Sequence, residues 1–527
     1  MRKHTRPRRW RILAAVALTA LLGTSVAAPA WAAPTIDPTE TGSLTVHKYE
    51  QPVLRGDAGN GLELSAADTA AWDALTGIRF TATRVPGIDL GTEAGWSAAA
   101  AMTVADAAAA VGGATPDADG TTGSDGSVLF DDLDLGVYYV QEHLTPAQLA
   151  SGLTPGAPFV VTVPITHPVD LDTWLYDVHV YPKNNNDAIV KRVEDSDTVG
   201  TTAPDNGNDN AVVWTIDASI PEGSQTDLWR VVDDLDPRLE FVAAETTVNI
   251  DGLSTPAVDL VAADYAVTAT RETTLIGSTA TVDEHTRVTV ELTAPGLAKI
   301  WEAKKVNPAA QVRIGITTLS TATGDGVIPN SAVLFPNQYQ VDNNPGGVPS
   351  NEVETRLGGI QIVKTAMDGT TPLAGAQFAV FLDEAEARAG DLADAIDIPG
   401  QPAGTKVVTT DAAGEAAIGG LRLSNFVDGA RIADTDPEYR TYYLVEVEAP
   451  TGYSLLADPI EVELVDAGAV VGPFTYDAVV RNAPHNAGFE LPFTGGTGGL
   501  LFWGVGAGLL LVAAGIAVRT RRARSAA

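Results

Sequence analysis

The sequence predicts an all-β chain made of three tandem β-sandwich domains. Three observations carry that reading: the length, the texture of short strand-like runs, and one block of motifs that occurs twice. At 527 residues the chain exceeds what one core can organise, and division by about 150 residues per domain gives three or four. From Pro34 to about Gly488, runs rich in Val, Ile, Thr, Tyr and Phe alternate with Gly, Pro, Asn and Asp, the pattern of antiparallel sandwiches. Period-2 alternation is plain in Leu44-Thr45-Val46, Ile360-Gln361-Ile362 and Arg287 to Leu292. Helical patterning is confined to the Ala-rich patches Ala66 to Ala74, Ala98 to Ala110 and Glu384 to Ala395, with few helices expected elsewhere.

Residues 1–32 read as a secretory signal peptide. Six bases fall within the first eleven residues, an apolar run extends from Ile12 to Ala28, and Ala30-Trp31-Ala32 forms a small-x-small cleavage site. The first domain then spans 33–183, the middle domain 184–357 and the third 358–488, with 489–527 as a terminal signal. Gly498 to Val518 carries no charge and is long enough, at about 1.5 Å per residue, to cross a hydrocarbon core of about 30 Å in the precursor. Arg519, Arg521, Arg522 and Arg524 follow and would hold the tail in the cytoplasm.

Four segments of the first domain recur in the third in the same order. Gly42 to Lys48 matches Gly358 to Lys364, and Leu75 to Phe80 matches Leu373 to Phe378. Thr121 to Gly126 matches Thr409 to Gly414, and Tyr138 to Glu142 matches Tyr442 to Glu446. The middle domain lacks this pattern but also opens on a strand followed by lysine, Ile189-Val190-Lys191.

Charge and composition exclude several functions. Ten of the 33 bases sit at the two ends, which leaves 23 against 67 acids between them, a surface that repels phosphate backbones and argues against a nucleic-acid partner. With no cysteine there is neither thiol catalysis nor a thiolate metal site, and an exported chain lacks its usual staple. The histidines are scattered without a His-Glu-x-x-His pair, and no Gly-x-Ser-x-Gly occurs. Asp117-Ala118-Asp119-Gly120 lacks the remaining ligands of a calcium loop, and Arg55-Gly56-Asp57 is read as coincidence. No metal and no cofactor are expected.

Only eight lysines lie between Pro34 and Gly488, and Lys48, Lys191 and Lys364 each end a domain's first strand. A core-facing lysine is driven toward its neutral amine by desolvation, and a neutral amine is a nucleophile. With an Asn carboxamide and a carboxyl group in reach, the amine can attack the amide carbon and expel ammonia while the carboxyl moves protons. In the third domain the candidates are Lys364, Glu446 and Asn482.

The run Tyr442 to Tyr453 resembles the E-box of Gram-positive pilins, with Val447 where Thr is usual. Trp174 to Lys183 resembles their pilin motif, and Leu491-Pro492-Phe493-Thr494-Gly495 is similar to a sortase sorting signal. Together these motifs resemble the SpaA/SpaH-type major pilins polymerised by class C sortases.

The resemblance implies three immunoglobulin-like sandwiches, the first and third of the CNA-B type, in the structural backbone subunit of a covalent pilus that supports adhesion. It implies that sortase joins Thr494 of one subunit to Lys183 of the next. Pro182 beside this lysine and the Asn184-Asn185-Asn186 run put it at a junction another protein can reach. The implied partners are a class C sortase, identical pilin subunits, accessory pilins, and peptidoglycan through a housekeeping sortase. The chain is then a sortase substrate and no enzyme.

For the middle domain the resemblance implies a Lys191 to Asn330 bond helped by Asp233, with Asn337 and Asp234 as competing assignments. In the first domain, aligning Tyr176-Asp177 on Tyr476-Asp477 puts Pro182 where Asn482 stands. That predicts no internal bond there unless Asn184 slips in by two residues. Two internal amide links would replace disulfides with staples no reductant can undo. The alternative is a monomeric wall-anchored adhesin or minor pilin, which shares the signals and sandwiches but needs no acceptor lysine.

Overall fold

The computed structural model describes residues 36–52, 59–195, 210–252, 258–466, 468, 472 and 474–485. The segment read as a signal peptide, Arg55-Gly56-Asp57, the expected sorting motif Leu491 to Gly495 and the apolar span fall outside the described residues.

The chain divides into two compact units. The first comprises, of the described residues, 36–48, 59–143 and 157–182. One of its sheets has Thr41–His47 at the centre, parallel to Asp177–Val180 and antiparallel to Ser127–Asp134. The other runs Ala118–Thr121, Arg79–Arg84, Gly136–His143, Phe159–Val163. Alternation decides which side chains fill the space between: Gly42, Leu44 and Val46 point inward, and the next inward position is Lys48. The alanine-rich stretch forms two helices, Glu93–Ala101 and Val104–Val111, capped by Thr92 and Thr103. The other two predicted patches are helical only over Ala66–Thr69 and Glu384–Ala389.

The second unit holds, of the described residues, 49–52, 144–156 and those from 183 to 485. Its first sandwich packs the sheet containing Ile189–Glu194, Ala211–Ser219, Gln311–Ser320 and Thr247–Asp251 against one containing Thr281–Leu292, Arg230–Leu235 and Ala332–Phe335. Trp214, Trp229, Ile216 and Ile314 lie at the centre of that core. Helix Ala294–Val306, which sequence patterning missed, lays Leu297, Ile300 and Ala303 on it. Its signals were present as Thr293 at the N-cap and Pro295 in the first turn.

The second sandwich of this unit is built around the 14-residue strand Val353–Ala366. Residues 353–356 of this strand pair with Val327–Asn330 of the preceding sandwich, and residues 357–363 pair with Glu415–Arg422 of their own. A parallel partner, Phe474–Asn482, lies along residues 358–366. The strands Gln377–Phe381, Tyr442–Glu448 and Ile460–Val462 close the opposite sheet. Where the two sandwiches meet, Asp195 and Asp428 each accept the other's backbone N–H, at 2.7 and 2.8 Å respectively, and Thr355 donates to Asp195.

Candidate functional site

Lys364 is fully buried on the inward rail that also carries Ile360 and Ile362. Its parallel neighbour Phe474–Asn482 is registered so that Val480 lies opposite Lys364 and Asn482 opposite Ala366. Asn482 thus points into the core beside the lysine, and its side-chain oxygen accepts from Lys364 Nζ. Across the core, Glu446 takes up the third position. Its Oε1 lies 3.1 Å from Lys364 Nζ, and Asn482 Nδ2 donates to Oε1 and Oε2 at 2.8 and 3.0 Å. The backbone N–H of Leu456 fixes Oε2 at 2.7 Å. Burial holds the Lys364 amine below the ordinary lysine range, although Glu446 opposes the shift. Amine, carboxamide and carboxyl group are therefore in mutual contact, and all three side chains are buried.

The four repeated segments are the walls around this lysine. Gly414, at φ +76°, accepts from the Lys364 N–H at 2.7 Å, and a Cβ there would meet the Lys364 carbonyl at 2.4 Å. Leu373 N–H donates to the same carbonyl at 2.9 Å, and the Phe378 ring lies 5.9 Å from Nζ. The first unit repeats each contact around Lys48. Gly126 accepts from its N–H at 2.7 Å, Leu75 donates to its carbonyl at 2.9 Å, the Phe80 ring is 5.7 Å from Nζ, and Glu142 accepts from Nζ at 2.8 Å. The repeat therefore encodes a lysine cradle as well as a sandwich. Sequence reasoning recorded these glycines, leucines and phenylalanines as matching letters and missed what they do.

One alignment needs correction. In the first unit Val46 lies opposite Val180, and further along the chain, in the second unit, Asn184 pairs with Glu50 in the same register. In the third domain Asn482 pairs with Ala366. Counted from Lys48 and Lys364, the positional counterpart of Asn482 is Asn184, which is buried, and not Pro182. The matching Tyr-Asp dipeptides misled because ladder hydrogen bonds set the register.

In the middle sandwich Lys191, Asp233 and Asn330 are all buried, at 1%, 0% and 4% exposure. Lys191 Nζ donates to Asp233 Oδ2 at 2.5 Å and stands 5.3 Å from the centre of the Trp214 ring. Burial lowers the Lys191 pKa and raises that of Asp233, so both groups are pushed toward neutrality. Among the described residues, Asp233 Oδ1 and both polar atoms of the Asn330 carboxamide make no hydrogen bond of normal geometry, an expensive state for buried groups, although the Asn330 side chain is near enough to Asp233 to oppose the rise of its pKa. The competing residues are employed elsewhere. Asp234 points to the other face of its strand and takes two bonds from Arg287, at 2.6 and 2.9 Å. Asn337 caps helix Gln338–Asn343 by accepting from Gln340 N–H at 2.9 Å.

Lys183 is half-buried and opens the short strand Lys183–Asn186, which lies between Tyr49–Glu50 and Leu153–Thr154. Asn185 accepts from the Glu222 N–H at 2.9 Å, and Asp187, buried, accepts from Ser219 at 3.1 Å. Thr494 lies outside the described residues. Asp117-Ala118-Asp119-Gly120 runs into the strand Ala118–Thr121, where Asp119 is paired with Arg79 at 2.7 Å and Asp117 accepts the Arg84 N–H at 2.6 Å.

Known proteins resemble this chain along most of its length. A family model described as the Gram-positive pilin subunit D1, N-terminal domain, matches residues 39–185, and one described as a prealbumin-like fold domain matches residues 358–473. The chain is 34% identical over 542 residues to fimbrial subunit type 1 of Actinomyces viscosus, with 96% of each covered. It is similar to the full-length major pilin SpaD from Corynebacterium diphtheriae, with 26% identity, a TM-score of 0.57, and coverage of 85% of this chain and 98% of that one. The major pilin SpaA of the same organism shares the fold, with a TM-score of 0.53 at 22% identity over 84% of this chain and all of that one. An end-to-end relationship to a fimbrial subunit, carried by a chain of lysine-centred sandwiches, identifies the family: this chain belongs to the Gram-positive pilins and is a backbone subunit of a cell-surface pilus.

Proposed function

We propose that the subunit is joined to its neighbours, and stapled within itself, by lysine amide bonds. The observation that carries the internal half is the buried contact of Lys364, Glu446 and Asn482. The neutral Lys364 amine attacks Cγ of Asn482, a new Nζ–Cγ bond forms, and the Cγ–Nδ2 bond breaks. Glu446 gives a proton to the amide during attack and accepts one from the lysine nitrogen, so that the nitrogen leaves as ammonia. Lys191, Asn330 and Asp233 carry out the same exchange in the middle domain. Their lowered amine and raised carboxyl pKa values are the protonation states that this chemistry needs.

Between subunits, a class C sortase cleaves after Thr494 and releases Gly495 with the membrane-held tail. Lys183 of another copy resolves the acyl-enzyme, giving a Thr494 to Lys183 amide. Accessory pilins join by the same sorting chemistry, and a housekeeping sortase passes the finished fibre to peptidoglycan. The domain limits 33–183, 184–357 and 358–488 fit one sandwich to each lysine, Lys48, Lys191 and Lys364.

The test is an immunoblot of boiled cell-wall extract from the native host, with wild type beside Lys183→Ala. A ladder of very large species that collapses to monomer in the variant is expected. A monomer band in both would leave a wall-anchored adhesin in place of a shaft subunit.

A further inference from the structure

Strand Ile189–Glu194 pairs with Ala211–Ser219 along one edge, and no described strand pairs with its other edge. At that open edge the carboxamide of Asn351 does what a neighbouring strand would do. Its Oδ1 accepts the Lys191 N–H at 2.9 Å, and its Nδ2 donates to the Lys191 carbonyl at 2.9 Å. These two bonds form one complete ladder rung, supplied by a side chain 160 positions away. The rung falls on the residue whose amine enters the core toward Asp233.

Asn351 also stands two residues before Val353, the partner of Asn330 across the pairing of Val327–Asn330 with Val353–Arg356. A single short segment, 351–353, therefore sets the backbone of the nucleophile by a side-chain rung and the backbone of the electrophile by strand pairing. We infer that Asn351 is a positioning residue for amide-bond formation in the middle domain, registering Lys191 against Asn330. This rests on the reading of Lys191 and Asn330 as a linked pair. Without the rung, Lys191 keeps its pairing with Ala211–Ser219 but loses its direct tie to the segment that pairs with Asn330, and an error of about 1 Å in placing reactants costs about a hundredfold in rate.

The experiment follows bond formation in the full exported chain by mass spectrometry of proteolytic fragments, scoring the 191/330 and 364/482 linkages in the same molecules. In Asn351→Ala the 191/330 linkage forms at least tenfold more slowly, while the 364/482 linkage keeps its wild-type rate. Asn351→Asp gives a readout that a merely structural residue would not move. A protonated carboxyl offers the same acceptor and donor as the amide, whereas a carboxylate offers acceptors only. The 191/330 rate of Asn351→Asp relative to Asn351→Ala therefore rises as pH falls from about 7 to about 4.

If Asn351→Ala links 191/330 at the wild-type rate, the inference is overturned. If wild type carries no 191/330 linkage, the linked-pair reading fails and takes this inference with it. If Asn351→Ala does not fold, recognised by simultaneous loss of the 364/482 linkage, Asn351→Asp is scored against wild type: a 191/330 rate that, relative to wild type, does not rise on acidification overturns the inference.

Discussion

Asn482→Ala isolates the third-domain staple from the charges around it. The variant removes the electrophile but leaves Lys364 and Glu446 paired at 3.1 Å, so no buried charge is stranded. Lys364 and Asn482 are 118 positions apart, and a cross-link closing a loop of that length restricts the unfolded chain by about 5 kcal/mol. A domain of this size melts about 4 °C lower for each kcal/mol lost, so the third domain should melt about 20 °C below wild type. Calorimetry of the two purified proteins measures the shift, and intact mass should show one fewer ammonia lost in the variant. Equal numbers of ammonia lost in both would mean that Asn482 is not the acceptor. A mass difference of one ammonia with melting points within about 3 °C would mean that closure of this loop is not what stabilises the domain.

Three further outcomes follow from the same geometry. Glu446→Ala should suppress the Lys364 to Asn482 linkage while the middle-domain loss of ammonia persists, and persistence of both losses would remove Glu446 from the chemistry. Lys183→Ala should abolish the polymer ladder without changing either internal loss, read by intact mass beside the immunoblot. Burial pushes the Asp187 carboxyl from its ordinary 3.8 up to about 7. The folded state thus binds a proton that the unfolded state releases between these values. Stability is full below about pH 4 and falls as pH rises through about 7, by about 4 kcal/mol in all. Asp187→Asn should remove that loss, so the urea-unfolding gap between variant and wild type should widen from pH 5 to pH 8; parallel curves would contradict it.

The lysine strands were legible because alternation is a hard constraint. Once Leu44 and Val46, or Ile360 and Ile362, face inward, the lysine two places on must follow. Glu446 and Asn482 were legible for the same reason, each continuing an inward rail. The pairs Asp233/Asp234 and Asn330/Asn337 stayed open because only packing decides which of two neighbours or near neighbours turns inward. The register that makes Asn184 the counterpart of Asn482 was hidden by a dipeptide match that carries no hydrogen-bond information. Asn351 left no pattern at all, since one carboxamide bonding to a distant backbone has no period and no spacing. The helix Ala294–Val306 was overlooked because its apolar residues are not confined to the face of Leu297, Ile300 and Ala303: Ala294, Ala298 and Val306 are exposed, which blurs the helical period.

The strand Val353–Ala366, shared by two sandwiches, sets where the chain can be cut. A fragment ending near residue 357 would lose the continuation that anchors Leu357 onward beside Phe474–Asn482, and one beginning there would lose the pairing with Val327–Asn330. Neither piece could be shuffled into another protein as an independent cassette without exposing raw sheet edge. Heredity would therefore act on the two sandwiches as one transferable block, and an engineer grafting an epitope should use the loops between strands and leave this seam intact.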